Sequence, residues 1–336
     1  MKRLSGLNNT LRLLLAAAAL AAGSVLAQED GPVIYAIINE QDAGALAELF
    51  EGQTGLQPTI LRGSTGEIIA RVLAEQDNPR ADIVLGGPST LHINLKDEGA
   101  TEPHELPEGL VLEEGTFDPD GYWTGWHATA LGIGINTQRF AARYGDQDYP
   151  QTWEDLLADD WSGEIVMTDP VASSTAYLFV QLQLQRLGWE AGWDYLEALA
   201  GQVGQLPGSG AAPTQLVSSG EYTLGVSYIH PLSRNLAQGM PLHIVVPPET
   251  GGEIGAVSVV RGGPNGEAAH RFVNFILSAE AQQLFTERSL TTPLNPEVVL
   301  PEGTVPVTDI DLIDFDPELA AEQRDEVLEL WSSLVD

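Results

Sequence analysis

The chain has 336 residues, and its 15 Lys and Arg against 48 Asp and Glu give a formal charge of −33 at pH 7. No surface here can neutralise a run of phosphates, so free nucleic acid is excluded as a partner. With 43% hydrophobic residues, seven Trp, eight Tyr and eight Phe the chain can bury a sizeable core, and with no Cys it has no disulfide, thiolate nucleophile, zinc knuckle or iron–sulfur cluster.

The first residues read as an export signal. Lys2, Arg3 and Arg12 precede an apolar run from Leu13 to Ala22, and Val25-Leu26-Ala27 is a small-x-small site, so cleavage is expected after Ala27. The run falls short of the roughly 20 apolar residues a membrane helix needs, and no later stretch approaches that length. Loss of residues 1–27 takes away three bases and no acid, leaving 309 residues at −36 with Lys96 as the only lysine. Asp and Glu crowded on a surface that uses Arg rather than Lys suit a protein bathed in concentrated salt, where charge repulsion is screened within a few ångströms.

Residues 33–38 are expected as a buried strand, 39–42 as a loop, and Leu46, Leu49 and Phe50 as the apolar stripe of a helix ended by Gly52 and Gly55. Residues 57–61 read as a second strand, 62–67 as a turn, 68–75 as a helix, and 82–85 as a third strand closing on Gly86-Gly87-Pro88-Ser89. That alternation implies a parallel sheet with right-handed crossovers. A second unit of the same kind has strands at 163–167 and 222–228 and helices at 173–187 and 189–199. Residues 122–136 and 242–247 have the composition of strands passing between two lobes, 256–260 resume a strand, and 266–288 read as one long helix. The expected class is α/β with two lobes, an N-lobe of residues 28–127 and 256–292 and a C-lobe of 128–255 and 293–336. Two crossings make a hinged clamp.

Ligands of open α/β sheets bind beyond the carboxyl ends of the strands. Those positions carry Asn39 and Glu40, then Ser64, Thr65, Gly66 and Glu67, then Gly87 and Ser89. In the other lobe they carry Ser173, Ser174 and Thr175, then Ser227, Tyr228 and His230. Tyr228 and His230, two apart on a strand end, face one side, and Trp126 and His127 at the hinge are candidates to line the cleft. The starts Gly63-Ser64-Thr65-Gly66 and Ala172-Ser173-Ser174-Thr175 each offer free N–H groups, a partial positive charge and hydroxyls, an anion site that needs no Lys or Arg. Ordinary N-capping is the competing reading of the same residues.

The sequence carries no catalytic constellation. Gly225-Val226-Ser227-Tyr228-Ile229 lacks the last Gly of a nucleophile elbow, Ser227 and His230 three apart on a strand face opposite ways, and the zinc-protease, P-loop and dinucleotide motifs are absent. The expectation is a binding protein with no catalytic residue and no cofactor; a secreted α/β hydrolase is the rival class.

Several runs carry a family likeness: Gly63-Ser64-Thr65-Gly66-Glu67-Ile68-Ile69-Ala70-Arg71, the segment from Asn78-Pro79-Arg80-Ala81-Asp82 to Gly86-Gly87, Gly121-Tyr122-Trp123-Thr124-Gly125, and Pro293-Leu294-Asn295-Pro296. Over nearly the whole mature chain the sequence resembles the periplasmic ferric-ion-binding proteins of ABC importers. The resemblance implies a type II periplasmic-binding fold that closes over a small-molecule ligand, as a monomer, and docks on an inner-membrane ABC permease. Iron-holding members use a residue of the first loop, the Glu of the Ser-x-Gly-Glu turn and an adjacent Tyr-Tyr pair. Here the turn Glu is Glu67, but the Tyr-Tyr positions read Ile229 and His230, which leaves Glu67, Tyr228 and His230 as the only iron ligands on offer. Ferric iron prefers anionic oxygen, so a phosphorylated or phosphonate solute is favoured, with ferric iron plus a companion anion as the alternative and a polyamine as a further one.

Overall fold

The computed structural model describes residues 30–335, so the signal and cleavage site expected in residues 1–27 lie outside it. Strand β1 (Val33–Ala36) leads into helix α1 (Glu40–Thr54), capped by the Asn39 side chain, which accepts from the Gln41 N–H. The helix thus starts at Glu40, where a loop to Asp42 was expected, because a capped first turn favours the carboxylates Glu40 and Asp42. It runs past Gly52 and ends at Gly55. Then β2 (Thr59–Arg62), α2 (Thr65–Ala74), β3 (Ile83–Pro88) and α3 (Ser89–Asp97) complete a parallel β2-β1-β3 unit, followed by the short β4 (Thr101–Glu102).

Strand β5 (Thr124–Asn136) is buried along its whole length. After α4 (Thr137–Tyr144), the second unit is built from β6 (Ile165–Val166), α5 (Ser174–Leu187), α6 (Trp189–Ala200), β7 (Val203–Gln205), α7 (Ala212–Ser218), β8 (Leu224–Tyr228), α8 (Ile229–Ala237) and β9 (Leu242–Val245). Strand β10 (Gly252–Val260) returns to the first unit, followed by α9 (Gly266–Ile276), α10 (Ala279–Ser289) and β11 (Thr292–Pro293), and α11 (Pro317–Glu322) and α12 (Arg324–Val335) close the chain. The single helix expected over 266–288 is two. Ser278 takes extended dihedrals, φ −70° and ψ 152°, and its side chain caps α10 by accepting from the Ala281 N–H.

The strand order β2-β1-β3-β10-β5-β8-β6-β7 places β5 in both lobes. Its first half pairs antiparallel with β10 (Ala130 opposite Gly252, Thr124 opposite Val257), and its second half pairs with β8 and β9 (Leu131 opposite Tyr228, Ile133 opposite Val245). Each lobe has its own core. In the first, Phe50, Phe272 and Phe275 pack against one another and Phe285 packs on Trp126, with α2 and α3 on the other face of the sheet. In the second, Trp153, Phe179, Leu182 and Ile165 pack with Trp331 of α12. Side chains of this size contribute roughly 1.5–3 kcal/mol each when fully buried. The C-terminal segment is a third passage between the lobes: α11 lies against α3, where Asn94 Nδ2 donates to the Ala321 carbonyl oxygen at 3.2 Å, while α12 completes the second core.

Gly86 and Gly87, at φ 79° and 78°, insert one extra residue into β3 opposite β10. Only glycine fits, since a Cβ on Gly86 would lie 2.6 Å from the Ile38 side chain. Fully buried His92 pins this bulge to α3: its Nε2–H donates to the Gly86 carbonyl oxygen at 3.0 Å and the Ser258 hydroxyl donates to its Nδ1 at 2.7 Å.

Candidate functional site

Helix starts that a side chain already caps must be separated from those that none does. At α2 the sequence writes Ser-x-x-Glu, and a capping box forms: the Ser64 N–H donates to Glu67 Oε2 at 2.8 Å, and the Glu67 N–H donates to Ser64 Oγ at 3.4 Å. The Ser64 N–H holds the Glu67 carboxyl below its ordinary pKa. This turn therefore holds an anion of its own, and the capping reading prevails over a vacant anion site for Ser64 and Glu67. At α3 and α5 the cap positions are Pro88 and Ser173, and neither makes a side-chain cap bond. Their first N–H groups have no intrahelical partner.

The α3 and α5 starts open on one cavity of about 320 Å³, lined by Ser89 and Thr90 of α3, Ser174 and Tyr177 of α5, and Thr129 and Glu253 of the crossover strands. The C-terminal segment supplies an apolar wall with Leu312, Ile313 and Phe315. The capped α2 turn faces the segment before α5, since a Cβ on Gly66 would lie 3.6 Å from the Val171 carbonyl oxygen. The loop after β7 joins them: a Cβ on Gly210 would sit 2.9 Å from Ser173 Oγ.

At the α5 start the Tyr228 hydroxyl donates to the Glu253 carboxyl group, with the Ser174 and Thr175 hydroxyls beside it. Burial pushes the Glu253 carboxyl up to about 7, and burial together with the adjacent Glu253 raises the Tyr228 phenol well above its ordinary range. Both side chains are half-buried, and Glu253 borders the cavity. His230 stacks on Tyr228, ring centroids 5.7 Å apart, and its Nδ1 bonds the Thr129 hydroxyl at 2.9 Å. The two side chains share one side as expected, but by a different route: β8 ends at Tyr228, and His230 lies in the first turn of α8. Burial holds its imidazole neutral.

Other candidates are placed elsewhere. Trp126 is fully buried in the first core, its indole N–H donating to the Ala256 carbonyl oxygen at 3.3 Å. His127 is wedged between Trp126 and Phe285, 7% exposed. Ser227 points away from Tyr228 by strand alternation and is bonded to the Thr214 hydroxyl at 2.8 Å. Asn39 is occupied as the α1 cap, with Glu40 exposed beside it, and Gly87 belongs to the β3 bulge. Thr65 is buried at the α2 start. Sequence reasoning missed Thr90, Thr129, Tyr177 and Glu253. It also missed three arginines near the α1 start: Arg62, whose Nε donates to the Ile38 carbonyl oxygen, and Arg234 and Arg288, both paired with Asp42. In so acidic a chain their scarcity was the usable signal.

The model of the family described as bacterial extracellular solute-binding protein matches residues 78–311, well over half of the chain. The chain belongs to that family. This solute-binding protein is 30% identical over 340 residues to an uncharacterised Haemophilus influenzae protein, covering 96% of this chain and 97% of that one. Its fold is similar to that of the periplasmic binding protein AfuA from Actinobacillus pleuropneumoniae, solved with exogenous fructose-6-phosphate bound, at TM-score 0.87 and 28% identity over 92% of this chain and 99% of the other. Iron-bound HitA from Pseudomonas aeruginosa shares the fold at TM-score 0.80, with 20% identity over 91% and 99% of the two chains. The two-lobed type II architecture and the ferric-binding-like kinship read from the sequence both stand.

Proposed function

We propose that this solute-binding protein is the periplasmic receptor of an ABC importer for a small organic phosphate or phosphonate, gripped between the lobes and passed unchanged to a membrane permease. The observation that carries this is the pair of uncapped helix starts, α3 and α5, opening on one cavity of about 320 Å³. The phosphoryl head would sit among Ser89, Thr90 and Ser173 to Thr175, and the organic body would reach Thr129, Tyr228, His230 and Glu253. A carboxyl as weakly acidic as Glu253 is tolerated beside an anion when the ligand also brings a hydroxyl or ammonium donor, which favours an organic solute over a bare inorganic anion. The bound fructose-6-phosphate of AfuA supports the same class.

The export signal would be cleaved after Ala27. The lobes are assigned as residues 28–127 and 256–292 against 128–255 and 293–336, acting as a monomer. Ferric iron with a companion anion is less well supported, because Glu67 is engaged by Ser64 and the single phenol of the β8–α8 turn resists ionisation. The bonding of Ser227 to Thr214 weighs against a hydrolase. The test is calorimetric titration of fructose 6-phosphate, 2-aminoethylphosphonate and ferric citrate into the mature protein at high salt. Ser174→Asp, which gives α5 its own anion, is expected to weaken phosphate-ester binding at least about ten-fold. Unaltered affinity, or saturable binding of ferric citrate alone, refutes the assignment.

A further inference from the structure

We propose that Asp42, Arg234 and Arg288 form an ion-pair latch between the lobes, so that Arg234 sets ligand affinity without touching the ligand. Asp42 lies in the first turn of α1, 4% exposed, on a helix rooted in the first core by Ala43, Leu46 and Phe50. Arg288 reaches it from α10 of the same lobe: Nε donates to Oδ1 at 3.0 Å, and Nη2 donates to the Gln41 carbonyl oxygen at 3.2 Å. Arg234 comes from the other lobe, on α8, whose Leu232 packs with Val166, Val217 and Leu242. Its Nη1 donates to Oδ2 of the same carboxylate at 3.4 Å. One carboxylate thus takes one guanidinium from each lobe.

The asymmetry is what makes this a latch. When the lobes part, Asp42 keeps Arg288, so no uncompensated buried charge is left behind and the cost of desolvating Asp42 is common to both states. Only the Arg234 arm is made and broken, and it favours closure. Without Asp42 the same geometry reverses sign: Arg234 and Arg288 confront each other across the gap, with Arg62 close to the α1 start. A merely structural surface pair predicts no such reversal.

The distance test needs no ligand, and only the affinity test rests on the reading of the cavity above. The chain has no Cys, so Glu48→Cys on α1 and Gln215→Cys on α7, both exposed, give two unique labelling sites, one per lobe, for an interlobe distance distribution on the mature protein. Arg234→Ala is expected to lengthen the ligand-free distance, and Asp42→Asn to lengthen it further. Raising KCl from about 0.1 to about 1 M shortens the screening length from about 10 to about 3 Å; it should lengthen the wild-type distance and shorten that of Asp42→Asn. With fructose 6-phosphate as probe, Arg234→Ala should raise the dissociation rate about five-fold with the association rate little changed. Superposable ligand-free distributions for wild type and both variants overturn the latch. Wild type that fails to bind the probe while the distances shift as stated overturns the ligand reading and leaves the latch standing.

Discussion

Glu253→Gln isolates the charge chemistry of the cavity. Burial lifts this carboxyl to about 7 from the ordinary 4.5, so the folded state binds its proton more tightly than the unfolded chain does. The sign follows from linkage: the contribution is complete below pH 4.5 and is lost progressively as the pH rises through 7, where the folded protein must carry a crowded carboxylate. A shift of that size corresponds to about 3 kcal/mol. Because the carboxyl borders a cavity that water can enter, roughly 1–3 kcal/mol is the reasonable range. Gln keeps the oxygen that accepts from the Tyr228 hydroxyl and removes the charge. Urea unfolding of both proteins at high salt should therefore coincide near pH 4, with Glu253→Gln becoming the more stable by that amount at pH 8. Taking the difference cancels the titration of the many other carboxylates. Parallel stability curves across this range would refute the claim that Glu253 is neutral in the folded protein near neutrality.

Two further outcomes test how the lobes are built. Glu164 is buried and is held below its ordinary pKa, against the pull of burial, by Arg139 at 2.7 Å, Thr223 and Arg143. Glu164→Ala removes the partner of two partly exposed arginines and should cost about 1–3 kcal/mol in urea unfolding at pH 7, shrinking as the pH falls below the unfolded carboxyl value. Gly86→Ala forces both a left-handed φ and a 2.6 Å approach to Ile38. It should destabilise by about 1–3 kcal/mol or more and weaken probe binding through the displaced α3 start, and a wild-type melting profile would contradict the bulge geometry.

The repeated strand–helix pattern, the two lobes and the crossover at residues 122–136 were legible because buried strands announce themselves by apolar runs between turn residues. Less legible was anything decided by a single cap. Ser278 splits an apparently continuous helix because its hydroxyl serves the Ala281 N–H better than its backbone continues the turn, and periodicity is blind to that choice. Ser173 to Thr175, Tyr228 and His230 were singled out from their places at strand ends, and the structure gathers them around the α5 start, where Ser174 borders the cavity. Ser64 and Glu67 were singled out too, but their spacing is equally that of a capping box, and local bonding took precedence. Glu253 and Thr129 escaped notice because they sit mid-strand on the crossover, where only three-dimensional pairing brings them to the cavity.

The last helix has a consequence for how the chain matures. Trp331 and Val327 fill the interior that Trp153 and Phe179 began, and Phe285 fills the one that Ile34 began. Neither half can seal from a contiguous stretch of sequence, because each core awaits a piece from far along the chain. Such long-range closure is slow.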